Sequence, residues 1–195
     1  MQVEKATDHI LERLENELPG YLLYHCVDHT KDVRKQAMRI AKEEGIDNSE
    51  ELLLLETASV YHDCGFLETY ADHEEKGCEI ARDVLPQFGY TDRQITIIEG
   101  MIMATKVPQQ PKTRLEQIIC DADLDYLGRE DFFSIGDNLY EEFLYKGIVK
   151  DPLSWNQLQV KFLTAHHYYT QTNINGRGPQ KAEHLKQVIK KIDNQ

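Results

Sequence analysis

Four side chains stand out by type and order: His29, the adjacent pair His62-Asp63, and Asp123. Two imidazoles and two carboxylates suit Mn²⁺, Fe²⁺, Co²⁺, Ni²⁺ or Zn²⁺, with open positions left for water or substrate. Mg²⁺ also fits, although it prefers all-oxygen surroundings. A lone His-Asp dipeptide occurs by chance in many proteins; the specificity lies in the ordered set. Neighbouring residues on a regular helix point about 100° apart. His62 and Asp63 therefore reach one ion only where a helix ends or distorts, and Gly65 supplies an end two residues later. Asp121, Asp123 and Asp125 alternate as they would in a calcium loop. That reading fails, because Tyr126 stands where such a loop needs Gly and Phe132 where it needs Glu. The expectation is one divalent-metal site.

The elements that must position these groups read as helices almost throughout, with no convincing strand pair. Amphipathic patterns run over about Ala6–Glu17, closed by Pro19-Gly20, and over Val27–Glu44, stopped by Gly45. A third helix begins near Asn48-Ser49, runs to Gly65, and is apolar on most sides, which places it at the centre. Asp72 is expected to cap a fourth helix ending at Pro86. Thr91 and Gln94 form a capping box for a fifth, and Thr113 caps the next. Further helices are expected at about Glu130–Lys146, Leu153–Tyr169 and Pro179–Ile192. Phe66–Ala71, Val107–Lys112 and Asn173–Gly178 read as loops, the last Gly- and Asn-rich and expected to be mobile.

A chain of 195 residues suits one domain with a sizeable core. With 41% apolar and 29% charged residues it has an ordinary globular composition. No apolar run approaches the roughly 18–20 residues of a membrane span. The N-terminus lacks the apolar stretch of a secretory signal, so a cytoplasmic setting is expected. The net charge of −12 repels duplex DNA and anionic membranes. It does not repel a small phosphorylated substrate from a cleft in which a bound cation reverses the sign. Cys26, Cys64, Cys78 and Cys120 form no C-x-x-C pair and are expected as reduced thiols.

The runs YHCVDHTKDV, ASVYHDCGF, HEEKGCEIARDVL and ICDADLDYLG occur in that order between Tyr24 and Asp131. This set resembles the HD-domain metal-dependent phosphohydrolase superfamily. The resemblance implies an all-α fold, an HD-domain helical bundle with additional C-terminal helices. Residues 1–195 would form a single HD-type domain, with a metal-site core at about 21–131 and a helical extension at about 132–195. It implies one or two divalent metals bound through an H…HD…D set, and cleavage of phosphate esters or anhydrides, most often in nucleotides. His29 matches the first ligand, His62-Asp63 the namesake pair, and Asp123 the last; Asp121 is the alternative for that last position. Asp63 also matches a residue that orients or deprotonates water.

YHCVDH is similar to the Tyr-His-Asn-x-x-His run of cyclic-nucleotide phosphodiesterases, in which the first histidine protonates the leaving group. His25 holds that place, and shares a helix face with His29 if the helix begins early enough. Imidazole suits the role because its ordinary pKa lies near neutrality. The plain alternative is a surface or capping histidine. His73 opens a run similar to the third-ligand region of binuclear members. The histidine such members carry on the following helix is replaced by Ala104 or Thr105. A second metal is therefore not expected, and His73 is left to contact phosphate or a bound water, or simply to start a helix. Lys106 and Arg129 are the first candidates to bind substrate phosphate, ahead of Arg177 and Lys181. His166, His167, Tyr168 and Tyr169 either line the cleft or belong to the core. Two other functions fit the same resemblance: a nucleotide-sensing module without turnover, and a di-iron oxygenase. A homodimer is one assembly open to a helical domain of this size, and the sequence does not specify the oligomeric state.

Overall fold

The computed structural model describes residues 1–193; Asn194 and Gln195, the end of the expected extension, lie outside them. The described residues are all-helical, as expected, with no strand among them. The helices are α1 (Val3–Glu17), α2 (Val27–Glu43), α3 (Ser49–Tyr61), α4 (His73–Val84), α5 (Asp92–Thr105), α6 (Arg114–Asp123), α7 (Phe132–Tyr145), α8 (Pro152–Ala165), α9 (Gln171–Gly176) and α10 (Gly178–Asp193). Tight 3₁₀ turns follow α3 (Cys64–Leu67), α4 (Leu85–Phe88) and α6 (Asp125–Gly128).

Local chemistry accounts for most starts. The Asn48 side chain accepts from the backbone N–H groups of Glu50 and Glu51 at the head of α3. Thr91 and Gln94 form the expected capping box; Thr113, expected as a cap, forms a second box with Glu116, and Asp151 with Ser154 forms a third that opens α8. Asp72 departs from expectation: it precedes α4 with a left-handed φ of 54° and makes no side-chain cap. Its carboxylate goes instead to Lys106.

α3 is central. Leu54, Leu55, Ala58, Val60 and Tyr61 are buried along it, and α1, α2, α5 and α6 pack around it. Each fully buried aliphatic side chain here contributes roughly 1.5–3 kcal/mol. A second apolar cluster joins Tyr24 and Leu127 to Phe132 of α7, Leu163 of α8 and Val188 of α10. The expected C-terminal extension is thus packed against the metal-site half rather than appended to it.

Two expectations are corrected. The supposed mobile loop at Asn173–Gly178 lies mostly within α9, which Thr170 caps. Asn173 is fully buried and donates to the Asp121 carbonyl at 3.1 Å and to Asp125 Oδ1 at 3.0 Å, while accepting from Arg39. These tertiary bonds outweigh the local preference of a Gly/Asn-rich segment for irregular backbone. Similarly, α8 stops at Ala165 rather than Tyr169. The Asp121 carboxylate accepts from the N–H groups of Tyr169 at 2.9 Å and Thr170 at 2.8 Å, which holds that stretch out of the helix.

Candidate metal centre and its cavity

His29 lies in the first turn of α2, His62 caps α3, and Asp63 sits in the break before the 3₁₀ turn. The helix ends at Tyr61, four residues before Gly65, and this early end lets the adjacent pair face one point. Gly65 serves a different purpose. A Cβ there would stand 1.9 Å from the His73 carbonyl oxygen, so glycine permits the turn and α4 to touch.

The ligand atoms converge. His29 Nε2 is 3.4 Å from His62 Nε2, 3.4 Å from Asp63 Oδ2 and 3.2 Å from Asp123 Oδ1. His62 Nε2 is 3.1 Å from Asp63 Oδ2 and 3.6 Å from Asp123 Oδ1. Neighbouring ligands of an ion bound at about 2.1 Å stand roughly 3–3.5 Å apart, so the spacing fits one ion. Among the described residues, His29, His62 and Asp123 form a group whose ligand atoms all lie within 4.8 Å of one another. Asp63 Oδ2 approaches both imidazoles as closely as Asp123 Oδ1 does.

Two further features fit a cation. Asp63 Oδ2 is buried and lacks a hydrogen-bond partner among the described residues, a costly arrangement unless a positive ion faces it. His62 Nδ1 lies 2.9 Å from the Ser59 carbonyl, so it carries the proton and leaves the Nε2 lone pair for an ion. The electrostatics agree. Burial alone would lower the pKa of His29 and His62, but Asp63 and Asp123 override it and raise both. Burial likewise opposes ionisation of Asp123, yet its hydrogen bonds to His29 and His62 bring it down to about 2. A centre this negative receives either protons or a metal. Asp121, the alternative last ligand, is instead committed to Tyr169 and Thr170.

His73 opens α4 with Nε2 3.5 Å from Asp63 Oδ1 and 3.5 Å from Glu74 Oε1. Its ring stacks on Phe66 with centroids 3.9 Å apart. Thr105 comes near but donates its hydroxyl to the Ile102 carbonyl, and Ala104 has no ligand atom. His25 lies outside α2, because Cys26 is already the cap, so the expected shared helix face does not form. Its ring is nonetheless 6.2 Å from that of His29 and stacks on Phe66. Glu142 of α7 holds it: Oε1 is 2.6 Å from His25 Nδ1, and Oε2 accepts from the backbone N–H groups of Tyr24 and His25. Tyr70 donates to the same carboxylate at 3.0 Å. The sequence reading missed Glu142. Its trace is an acid on the stripe Ile135, Leu139, Glu142, otherwise apolar at helical spacing.

The expected phosphate-binding cations lie elsewhere. Lys106 is half-buried and held by Asp72 at 2.9 Å and by Glu75. Arg129 is bound to Asp32 and, at 2.7 Å, to Asp131. Arg177 pairs with Asp125, and Lys181 donates to backbone carbonyls. In a chain with 34 acids and 22 bases, cations readily find carboxylates. None of the four lines the cavity of about 270 Å³ that His25, Asp63, His73 and Asp123 face. The remaining wall is apolar and comes largely from α7 and α8, with Leu139, Phe143, Trp155, Leu158 and Phe162. His166 and His167 line a separate cavity of about 130 Å³ with Gln109 and Tyr169.

These features define a helical protein with a partly buried His/His/Asp group that can hold a metal ion and opens on a cavity. A family model described as the HD domain matches residues 26–125, more than half of the 195. The chain belongs to the HD-domain family. HD domains are metal-dependent, and His29, His62 and Asp123 form a group that can hold the ion. A solved structure of a predicted HD superfamily hydrolase from an uncultured Thermotogales bacterium has the same fold, with a TM-score of 0.59 and 21% identity. The match covers 96% of this chain and 89% of that one. The search of curated proteins gave no match. His25 and Glu142 both fall outside the family-matched segment. Among the described residues no helix is long and apolar enough to cross a membrane.

Proposed function

We propose that this protein is a metal-dependent phosphohydrolase that cleaves a small phosphate ester or anhydride, a nucleotide being the substrate class that the family resemblance implies. The observation that carries the reading is the pairing of two devices at one cavity: the His29–His62–Asp63–Asp123 centre, and His25 held by Glu142. A divalent ion bound at the centre supplies positive charge to a substrate oxygen and lowers the pKa of water.

The chain's own residues do the rest. Asp63, with Oδ2 toward the centre, would use its second oxygen to orient the attacking water and accept its proton. Glu142 accepts a hydrogen bond from Nδ1–H of His25, so in the doubly protonated ring Nε2–H is free to pass its proton to the leaving oxygen. The phosphorus–oxygen bond of the leaving group breaks as the water oxygen bonds to phosphorus. His73, beside Asp63, is placed to hold a phosphate oxygen or the water.

The test is phosphate release from a broad panel of phosphorylated metabolites by protein loaded with Mn²⁺, Fe²⁺, Co²⁺, Ni²⁺, Zn²⁺ or Mg²⁺ in turn. Turnover that disappears in Asp63→Ala and falls sharply in His25→Ala supports the reading. Tight nucleotide binding without product would turn the assignment to a sensor, and dioxygen consumption with two irons per chain to an oxygenase.

A further inference from the structure

We infer that the substrate is a phosphate monoester whose alcohol part is apolar and about the size of a single ring, rather than a nucleoside polyphosphate. The inference rests on the phosphohydrolase reading of the same cavity and sharpens it. Three observations carry it.

The first is charge. The ionisable side chains of the cavity are those of Asp63, Glu74, Asp123, His25 and His73, besides the phenols of Tyr24 and Tyr126; no lysine or arginine lines it. A phosphomonoester carries about −1.5 to −2 at neutral pH, which one divalent ion balances. A triphosphate adds further negative charge and would meet carboxylates without a compensating cation. Lys106, the nearest candidate in sequence, is held outside by Asp72 and Glu75.

The second is the wall. Leu139 and Phe143 of α7 face the cavity, as do Leu158 and Phe162 of α8, and all four are only half-buried. They keep apolar surface available that an apolar group would cover. A nucleobase presents several donors and acceptors, which this wall would leave unpaired at a cost. Gln159 and Trp155 are its only N–H-bearing side chains beyond the metal end, and the Thr105 hydroxyl is already committed to Ile102.

The third is size. A cavity of about 150 Å³ lined by aliphatic and aromatic side chains accommodates benzene. The cavity here, about 270 Å³, leaves room for one such ring beside a phosphate.

The test compares benzyl phosphate, ethyl phosphate, a nucleoside monophosphate and a nucleoside triphosphate with the Mn²⁺-loaded protein. Both simple esters release an alkoxide oxygen, so they differ chiefly in what the wall must hold. Benzyl phosphate is expected to show kcat/KM on the order of tenfold above ethyl phosphate. Leu158→Lys and, separately, Phe143→Asn should bring the benzyl-to-ethyl ratio of kcat/KM down to within about twofold of one. Calorimetry with benzylphosphonate and ethylphosphonate, which are not hydrolysed, reads the same preference as affinity. Equal values for the two esters, or a nucleotide as the best substrate, would overturn the inference. If no ester is hydrolysed but benzylphosphonate binds about tenfold tighter in a wall-dependent way, the hydrolytic reading fails and the ligand class stands. Equal phosphonate affinities would remove the ligand class as well.

Discussion

His25 Nδ1 lies 2.6 Å from Glu142 Oε1 across 117 residues of sequence, and that carboxylate also accepts the backbone N–H groups of Tyr24 and His25. One buried acid therefore fixes both the ring and the chain that carries it. Glu142 is fully buried, and although burial opposes its ionisation, hydrogen bonds from His25 and Tyr70 hold its pKa below the usual range.

Glu142→Gln keeps the shape but removes the charge opposite His25. We expect kcat on a good substrate to fall on the order of 10- to 100-fold with KM and metal content little changed. Glu142→Ala strands several buried donors and should cost about 3–5 kcal/mol in urea unfolding. A Glu142→Gln enzyme with unchanged kcat would mean that His25 does not act on the leaving group.

Metal should stabilise the fold. At about 100 times its Kd, Mn²⁺ should add roughly 2.7 kcal/mol to the unfolding free energy of the wild type. It should add almost nothing to His62→Ala or Asp123→Asn. Metal analysis of purified Asp63→Ala checks the remaining ligand: wild-type content together with wild-type turnover would show the assignment to be wrong.

His166 gives a pH dependence remote from chemistry. Burial, aided by the positive charge of Lys181, lowers its pKa to about 3. The unfolded chain, with an ordinary value near 6.5, binds the proton first, so stability present above pH 6.5 drains away as pH falls toward 3. The loss is about 1.4 kcal/mol per pH unit within that window. Between pH 7 and 4.5 the wild type should lose roughly 2–3 kcal/mol more than His166→Asn, measured by urea titration at both pH values.

Gly65→Ala should be severe. The added methyl group would overlap the His73 carbonyl, and the neighbouring atoms are backbone, which cannot swing aside. A loss of about 3 kcal/mol or more is expected, as for other overpacked interior sites. In any folded fraction, displacement of α4 should lower activity through His73.

Lys106→Ala offers the opposite outcome. The ammonium group is shared by Asp72 and Glu75, and Lys106 does not line the cavity. KM and kcat should stay within about twofold of wild type. A tenfold rise in KM would return Lys106 to the phosphate-binding role that its place in the sequence suggests.

The legible parts of the molecule were those specified by neighbours in sequence. Thr91 and Thr113 announce helix starts because their partners are three residues away. The order of His29, His62-Asp63 and Asp123 carries information because so few arrangements use those types together. Glu142 was illegible because its meaning depends on α7 packing against the turn before α2. Lys106 and Arg129 misled for a related reason: a sequence displays cations but not the carboxylates that fold against them. Asn173 reads as loop and becomes helix because Arg39, Asp121 and Asp125 reach it from distant elements.

The apolar wall and the metal ligands come from separate stretches of chain, the ligands ending at Asp123 and the wall beginning largely with α7. Natural variation can therefore reshape α7 and α8 without disturbing the ion. Glu142 is the exception, a fixed point within an otherwise adaptable segment. Descendants of such a chain would diverge in what they accept while inheriting the same way of breaking it.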